Sequence, residues 1–166
     1  MADNPYIGQC LLRCEQATLL IREAAKTRQR GLSAAFLNGA VFHLVSAYRY
    51  HLRAIAKGSG LQHPQEIIDI EQLLEELGDA ATCTAEVQEI LNLNAQPESW
   101  LNQCVAAHEQ LINGVLPTVA DSQLGDIPLR REDSMSPKRL TVELVGGWNH
   151  EMSAMQRRHL ETMHEY

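Results

Sequence analysis

A chain of 166 residues, 45% of them hydrophobic, is long enough to bury one core and reads as a single domain over 1–166. Its formal net charge of −7 argues against non-specific duplex DNA binding, so nucleic acid ranks low among partners. Four cysteines without disulfide or zinc spacing, and no basic-then-apolar leader in "MADNPYIGQC", point to the reducing cytoplasm.

The first helix is predicted to start at "DNPY", with Asn4 capping and Pro5 in the first helical position. Ile7, Leu11, Cys14, Thr18, Ile21 and Ala25 follow at spacings of three and four and are the expected buried stripe. Gly31 is the expected stop and Ser33 the cap of a second helix that runs to about Lys57, before "GSG". The short turn makes the two an antiparallel hairpin. Residues 31–48 carry no formal charge, close to the minimum for a membrane span. Ser33, Asn38, His43 and Ser46 interrupt them, so the expectation is a buried central helix and no span.

"HPQEIIDIEQLLEELG" reads as one acidic helix opened by Pro64 and closed by Gly78, and "AEVQEILNL" as a shorter one ended by Asn94. "QPESW" is the expected start of a further helix, with Pro97 in its first turn and Leu101, Cys104, His108, Leu111 and Val115 on its apolar side. Residues 121–136 show no periodicity and read as a loop. The last helix spans 137–166, with Leu140, Leu144, Trp148, Met152, Met155 and Met163 at helical spacing; Gly146-Gly147 could break it. The resulting expectation is an all-α fold: an antiparallel four-helix-type bundle with an added short acidic helical segment, about five to six helices.

Charge is unevenly placed along this plan. The hairpin, 1–57, holds eight Lys/Arg against three Asp/Glu; the segment 58–128, mostly the acidic helices of 58–120, holds no Lys or Arg and twelve Asp/Glu; 129–166 holds six of each. The simpler reading is a basic hairpin laid against acidic helices. The other is a face left free for a charged partner.

In "FHLVSAYRYHLRAI" the positions Leu37, Val41, Leu44, Tyr48, His51 and Ile55 form one seam, while His43 and Tyr50 flank it with Phe36. His43, Arg49, Tyr50 and Arg53 are a candidate small-anion site, against the simpler reading of snorkelling arginines. His51, with Cys104 and His108 from the later helix, is a candidate metal set, because neutral imidazole and thiolate suit zinc. No CxxC or HxxxH pair supports it, and no cofactor is expected. Glu161-x-x-His164 is half of a di-iron signature without its second half. Arg157 or Arg158 with His164 looks like the arginine–histidine motif of HEPN-type helical domains, which act on RNA phosphates.

Three segments, "AVFHLVSAYRYHLRAIA", "QPESWLNQCVAAHEQL" and "GGWNHEMSAMQRRHLETMHEY", together resemble an uncharacterised family of small gammaproteobacterial proteins, a domain of unknown function. The resemblance implies a bacterial, cytoplasmic, all-helical protein and supplies no activity, cofactor or catalytic residue. The reading placed first is a non-enzymatic protein-interaction or adaptor module with a protein partner or a second copy of itself. A HEPN-like RNA- or nucleotide-handling domain and a metal-binding bundle are the alternatives.

Overall fold

Asn4 caps the first helix as its position predicts: its side chain accepts from the Tyr6 amide, and Pro5 occupies the first turn of α1 (Pro5–Lys26). The structure is a computed structural model that describes residues 4–78, 84–114 and 139–163. It is all-α. α2 spans Arg30–Gly58, α3 Ile70–Leu77, α4 Ala85–Asn94, α5 Trp100–Ile112 and α6 Val142–Met163; a 3-10 turn, Pro64–Glu66, precedes α3. Among the described residues there is no strand.

α1 and α2 form the antiparallel hairpin. Asn4 Nδ2 donates to the Ala54 carbonyl at 2.9 Å at one end, and Ser33 Oγ donates to the Ala24 carbonyl at 3.1 Å at the other. That second bond corrects two boundaries. α1 stops at Lys26 with an extended Thr27, and Gly31 and Ser33 lie inside α2. Ser33 spends its hydroxyl on a carbonyl of the last turn of α1 rather than on the start of its own helix.

The buried stripe of α1 agrees with the expected one at Cys14, with Ile21 packed against the core, and is shifted by one position elsewhere. Cys10, Cys14, Ala17 and Ala24 are buried, while Leu11 is 52% exposed. The facing residues of α2 explain this. Ala40 and Ala47 are fully buried, and a Cβ on Gly39 would stand 3.1 Å from Leu20 Cδ1. Two helices that meet through Ala and Gly approach closely, so small side chains form much of the contact and Leu11, Leu12 and Leu19 are left outside it.

α2 packs against α1, α3, α5 and α6. Its predicted seam is buried throughout: Leu37, Val41, Leu44, Tyr48, His51 and Ile55. By length and composition α2 could cross a membrane, yet its buried residues lie against the other helices. α6 returns antiparallel to α1; Asn149 Nδ2 donates to Thr18 Oγ1 at 2.7 Å and Gln156 reaches the Ile7 carbonyl at 3.5 Å. It runs unbroken through Gly146 and Gly147, and Trp148, Met152 and Met155 are buried. A Cβ on Gly146 would make ordinary contact with Ile21 at 3.9 Å and one on Gly147 would meet nothing, so neither position demands glycine and the helix is held by the residues around them.

The acidic segment departs most from expectation. The single helix predicted from Pro64 breaks into the 3-10 turn and α3, because Ile67 turns into the core and Asp69 accepts from the Gln72 amide as a new cap. Gly78 ends α3 at φ 54. α5 starts at Trp100 on a Ser99 cap, with Pro97 in the preceding turn. Residues 121–136, the expected start of the last helix at 137, and Val115 lie outside the described residues.

Leu52 is fully buried on α2, and Leu52→Ala is expected to cost about 2–5 kcal/mol in urea unfolding. Leu19→Ala, on the outer side of α1 at 43% exposure, should change stability by no more than about 0.5 kcal/mol.

Candidate functional site

The interior of the bundle holds one polar chain. His51 and His159 are buried at 2% and 3% exposure, and the ring of His51 places Nε2 2.7 Å from His159 Nδ1. The other nitrogen of His159, Nε2, is 3.1 Å from Glu89 Oε2. Glu89 Oε1 takes the guanidinium of Arg158. One turn away on each helix, Thr162 Oγ1 bonds Glu86 Oε1. α2, α4 and α6 therefore meet through hydrogen bonds as well as apolar contact.

Chemistry sets the direction of this chain. An ionised carboxylate only accepts, so His159 Nε2 carries the proton it shares with Glu89. His159 Nδ1 is then an acceptor, and His51 Nε2–H must be the donor. Burial, reinforced by His159, pushes His51 down to about 3. Burial also lowers His159, against the opposing pull of Glu89. For Glu89 burial acts upward, but hydrogen bonds from Arg158 and His159 outweigh it and hold the carboxyl below its usual range. Two neutral imidazoles, one carboxylate and one guanidinium satisfy each other, which is the condition for keeping such groups inside.

This geometry does not suit the candidate metal set. Two nitrogens on one tetrahedral zinc would stand about 3.3 Å apart, whereas His51 and His159 share a proton at 2.7 Å. Cys104 and His108 are buried on α5, but His108 packs edge-on against Phe42 at 4.9 Å, and burial pushes the Cys104 thiol up to about 12. Among the described residues no group of three or more His, Cys, Asp or Glu could hold a metal ion. Arg158 of the arginine–histidine pair is bound to Glu89, and His164 lies outside the described residues. Arg157 lines a shallow depression on α6 with His150, Ala154, Arg158 and Glu161.

The candidate anion set fares differently. Tyr50 and Arg53 do come together, with the Arg53 guanidinium carbon 5.5 Å from the ring centre. Arg53 Nε also donates to the Ile67 carbonyl at 2.9 Å. The sequence reading missed Arg13, whose guanidinium lies 6.0 Å from the same ring and 3.3 Å from His43 Nδ1. It missed Tyr6 too, which stacks on Tyr50 at 6.4 Å. Arg49 does not join; it is exposed, and its charge acts instead on His108. Neither Arg13 nor Arg53 has an ion-pair partner among the described residues. Arg13 Nη1 also meets Gln16 Oε1 at 3.2 Å, while its Nε is the one buried side-chain donor among the described residues without an acceptor. A buried donor left in that state costs about 1–3 kcal/mol.

A family of unknown function (DUF6586) matches residues 14–129. The chain belongs to this family. No curated protein and no solved structure matches it. The DUF6586 match takes in His51, Tyr50 and Arg53 on α2 and Glu89 on α4, and stops short of α6, which brings Arg158 and His159. Two of the three segments that carried the resemblance, those in α2 and α5, lie inside it.

The histidine chain has a definite pH signature. Unfolded histidines protonate near 6.5, whereas the folded chain keeps His51 and His159 neutral. The unfolded state therefore binds more protons below that value. Stability is full above about pH 6.5 and declines as pH falls, by at most about 1.4 kcal/mol per pH unit for each histidine. His43 and His108, also lowered, add to the slope. Urea midpoints between about pH 7.5 and 5 should fall less steeply for His51→Leu/His159→Leu than for the parent.

Proposed function

We propose that this protein is a non-enzymatic docking module whose basic α1–α2 hairpin receives an acidic segment of a partner protein. The observation that supports it is a lack of neutralisation. Among the described residues, Lys26 alone of the eight Lys/Arg in residues 1–57 has an ion-pair partner, and that partner, Glu23, is on its own helix. No ion pair among them joins α1 or α2 to α3, α4 or α5. The chain's positive and negative segments thus keep their charge at the surface, the arrangement that steers an oppositely charged partner.

The buried polar chain favours the same reading. His51 lies inside the bundle against His159, held neutral and far below the range of a base useful near neutrality. The three described cysteines are buried free thiols, which suits a module of the cytoplasm.

A second copy of the chain is the other candidate partner. Its acidic α3 and α4, without ion pairs to the hairpin, complement the hairpin's charge.

Poly-glutamate serves as the probe. It should bind, weaken with added salt, and lose about tenfold or more in affinity to Arg13→Glu/Arg53→Glu. Sedimentation of the protein alone at low and high salt reads out self-association. Indifference to charge reversal, or equal binding of poly-lysine, contradicts the proposal.

A further inference from the structure

We propose that Arg13, together with Arg53, Tyr50 and His43, forms a site for a phosphate monoester, supplied as a phosphorylated side chain of the acidic partner. The inference rests on the docking reading above and names the chemistry of its anchor point.

Four observations lead to it. First, Arg13 and Arg53 approach one tyrosine ring, at 6.0 and 5.5 Å, without a carboxylate to neutralise either among the described residues. The ring itself attracts cations and holds both in place without cancelling their charge. Second, the nitrogens of Arg13 are unequally used. Nη1 meets Gln16 and His43, at 3.2 and 3.3 Å, while Nε has no acceptor. Nε is closed off from solvent in this packing, so the edge it forms with Nη2, the fork that takes two oxygens of an oxyanion bidentately, opens to a ligand when the flexible side chain swings outward.

Third, the bond to Arg13 settles the tautomer of His43. A guanidinium only donates, so His43 Nδ1 accepts and its proton sits on Nε2. Burial, together with the charge of Arg13, lowers His43 and keeps it in that neutral form. His43 adds a hydrogen-bond donor to the cluster and no negative charge.

Fourth, the charges match. Two permanent cations beside one ring match a group of about −1.5 to −2 with three acceptor oxygens more fully than a single carboxylate of −1 with two. A phosphoryl group is therefore the better occupant. The docking face around it supplies the rest of an acidic segment with its remaining unpaired basic residues.

The test uses the full chain and three probes: an acidic peptide with one phosphoserine, the same peptide with glutamate at that place, and inorganic phosphate. Binding is read by calorimetry on the parent and on Arg13→Lys, which keeps the charge and loses the fork. An unchanged urea midpoint shows that the variant folds. In the parent the phosphopeptide should bind about tenfold more tightly than the glutamate peptide, and Arg13→Lys should erase the difference. Equal binding of the two peptides overturns the phosphate site and leaves the docking module standing. Absence of binding by either overturns both. Inorganic phosphate binding as tightly as the phosphopeptide overturns the assignment to a partner's side chain.

Discussion

A histidine in the middle of an apolar helix seam must be neutral and hydrogen-bonded, and much of this structure is arranged around that requirement. His51 sits on α2 among Tyr48, Leu52 and Ile55, where an unpartnered imidazole would be costly. Its partner is His159 on α6, whose second nitrogen needs a carboxylate, and Glu89 supplies it from α4. Arg158 then balances Glu89 at the surface end. Apolar burial brings the helices together, as it would for many sequences. The directed bonds specify which turn of α6 faces which turn of α2, and where the short α4 must lie.

With its one cross-segment ion pair among the described residues, Arg158–Glu89, and the neighbouring His159–Glu89 hydrogen bond both running from α6 to α4, the acidic part of the chain is tied to the C-terminal helix and not to the basic hairpin. This is why the hairpin retains its charge. α1 and α2 hold each other through alanine and glycine contacts that need no electrostatic help, and Arg13 and Arg53 are left half-buried beside Tyr50 without an ion-pair partner among the described residues. Interior satisfaction and exterior charge are therefore two results of one arrangement, and the proposed docking role rests on the second.

The helices were largely legible in the sequence, as was the seam on α2, because a stripe of large apolar residues at spacings of three and four has one dominant interpretation. The stripe on α1 was not. There the contact is made by Ala17 and Ala24, and the larger Leu11, which periodicity favours, faces solvent. The acidic helix was read as continuous because nothing in its composition competes with helix; Asp69 interrupts it by capping, a preference that its position between Ile68 and Ile70 disguised. For the site, Tyr50 and Arg53 were found because they share a helix, whereas Arg13 and Tyr6 depend on the register between α1 and α2, which spacing along the chain does not encode. His159 could have been found: it continues the Trp148, Met152, Met155 stripe by one more step of four. Its pairing with His51, 108 positions away, could not.

The most direct measurement is the nitrogen NMR of the imidazole rings, which reports protonation and tautomer for each histidine. The hydrogen-bond chain predicts that His51 and His159 are both neutral near pH 7 with the proton on Nε2, and that His51 stays neutral down to about pH 5. A proton on Nδ1 of either ring, or a His51 that titrates near 6.5 in the folded protein, would contradict the account.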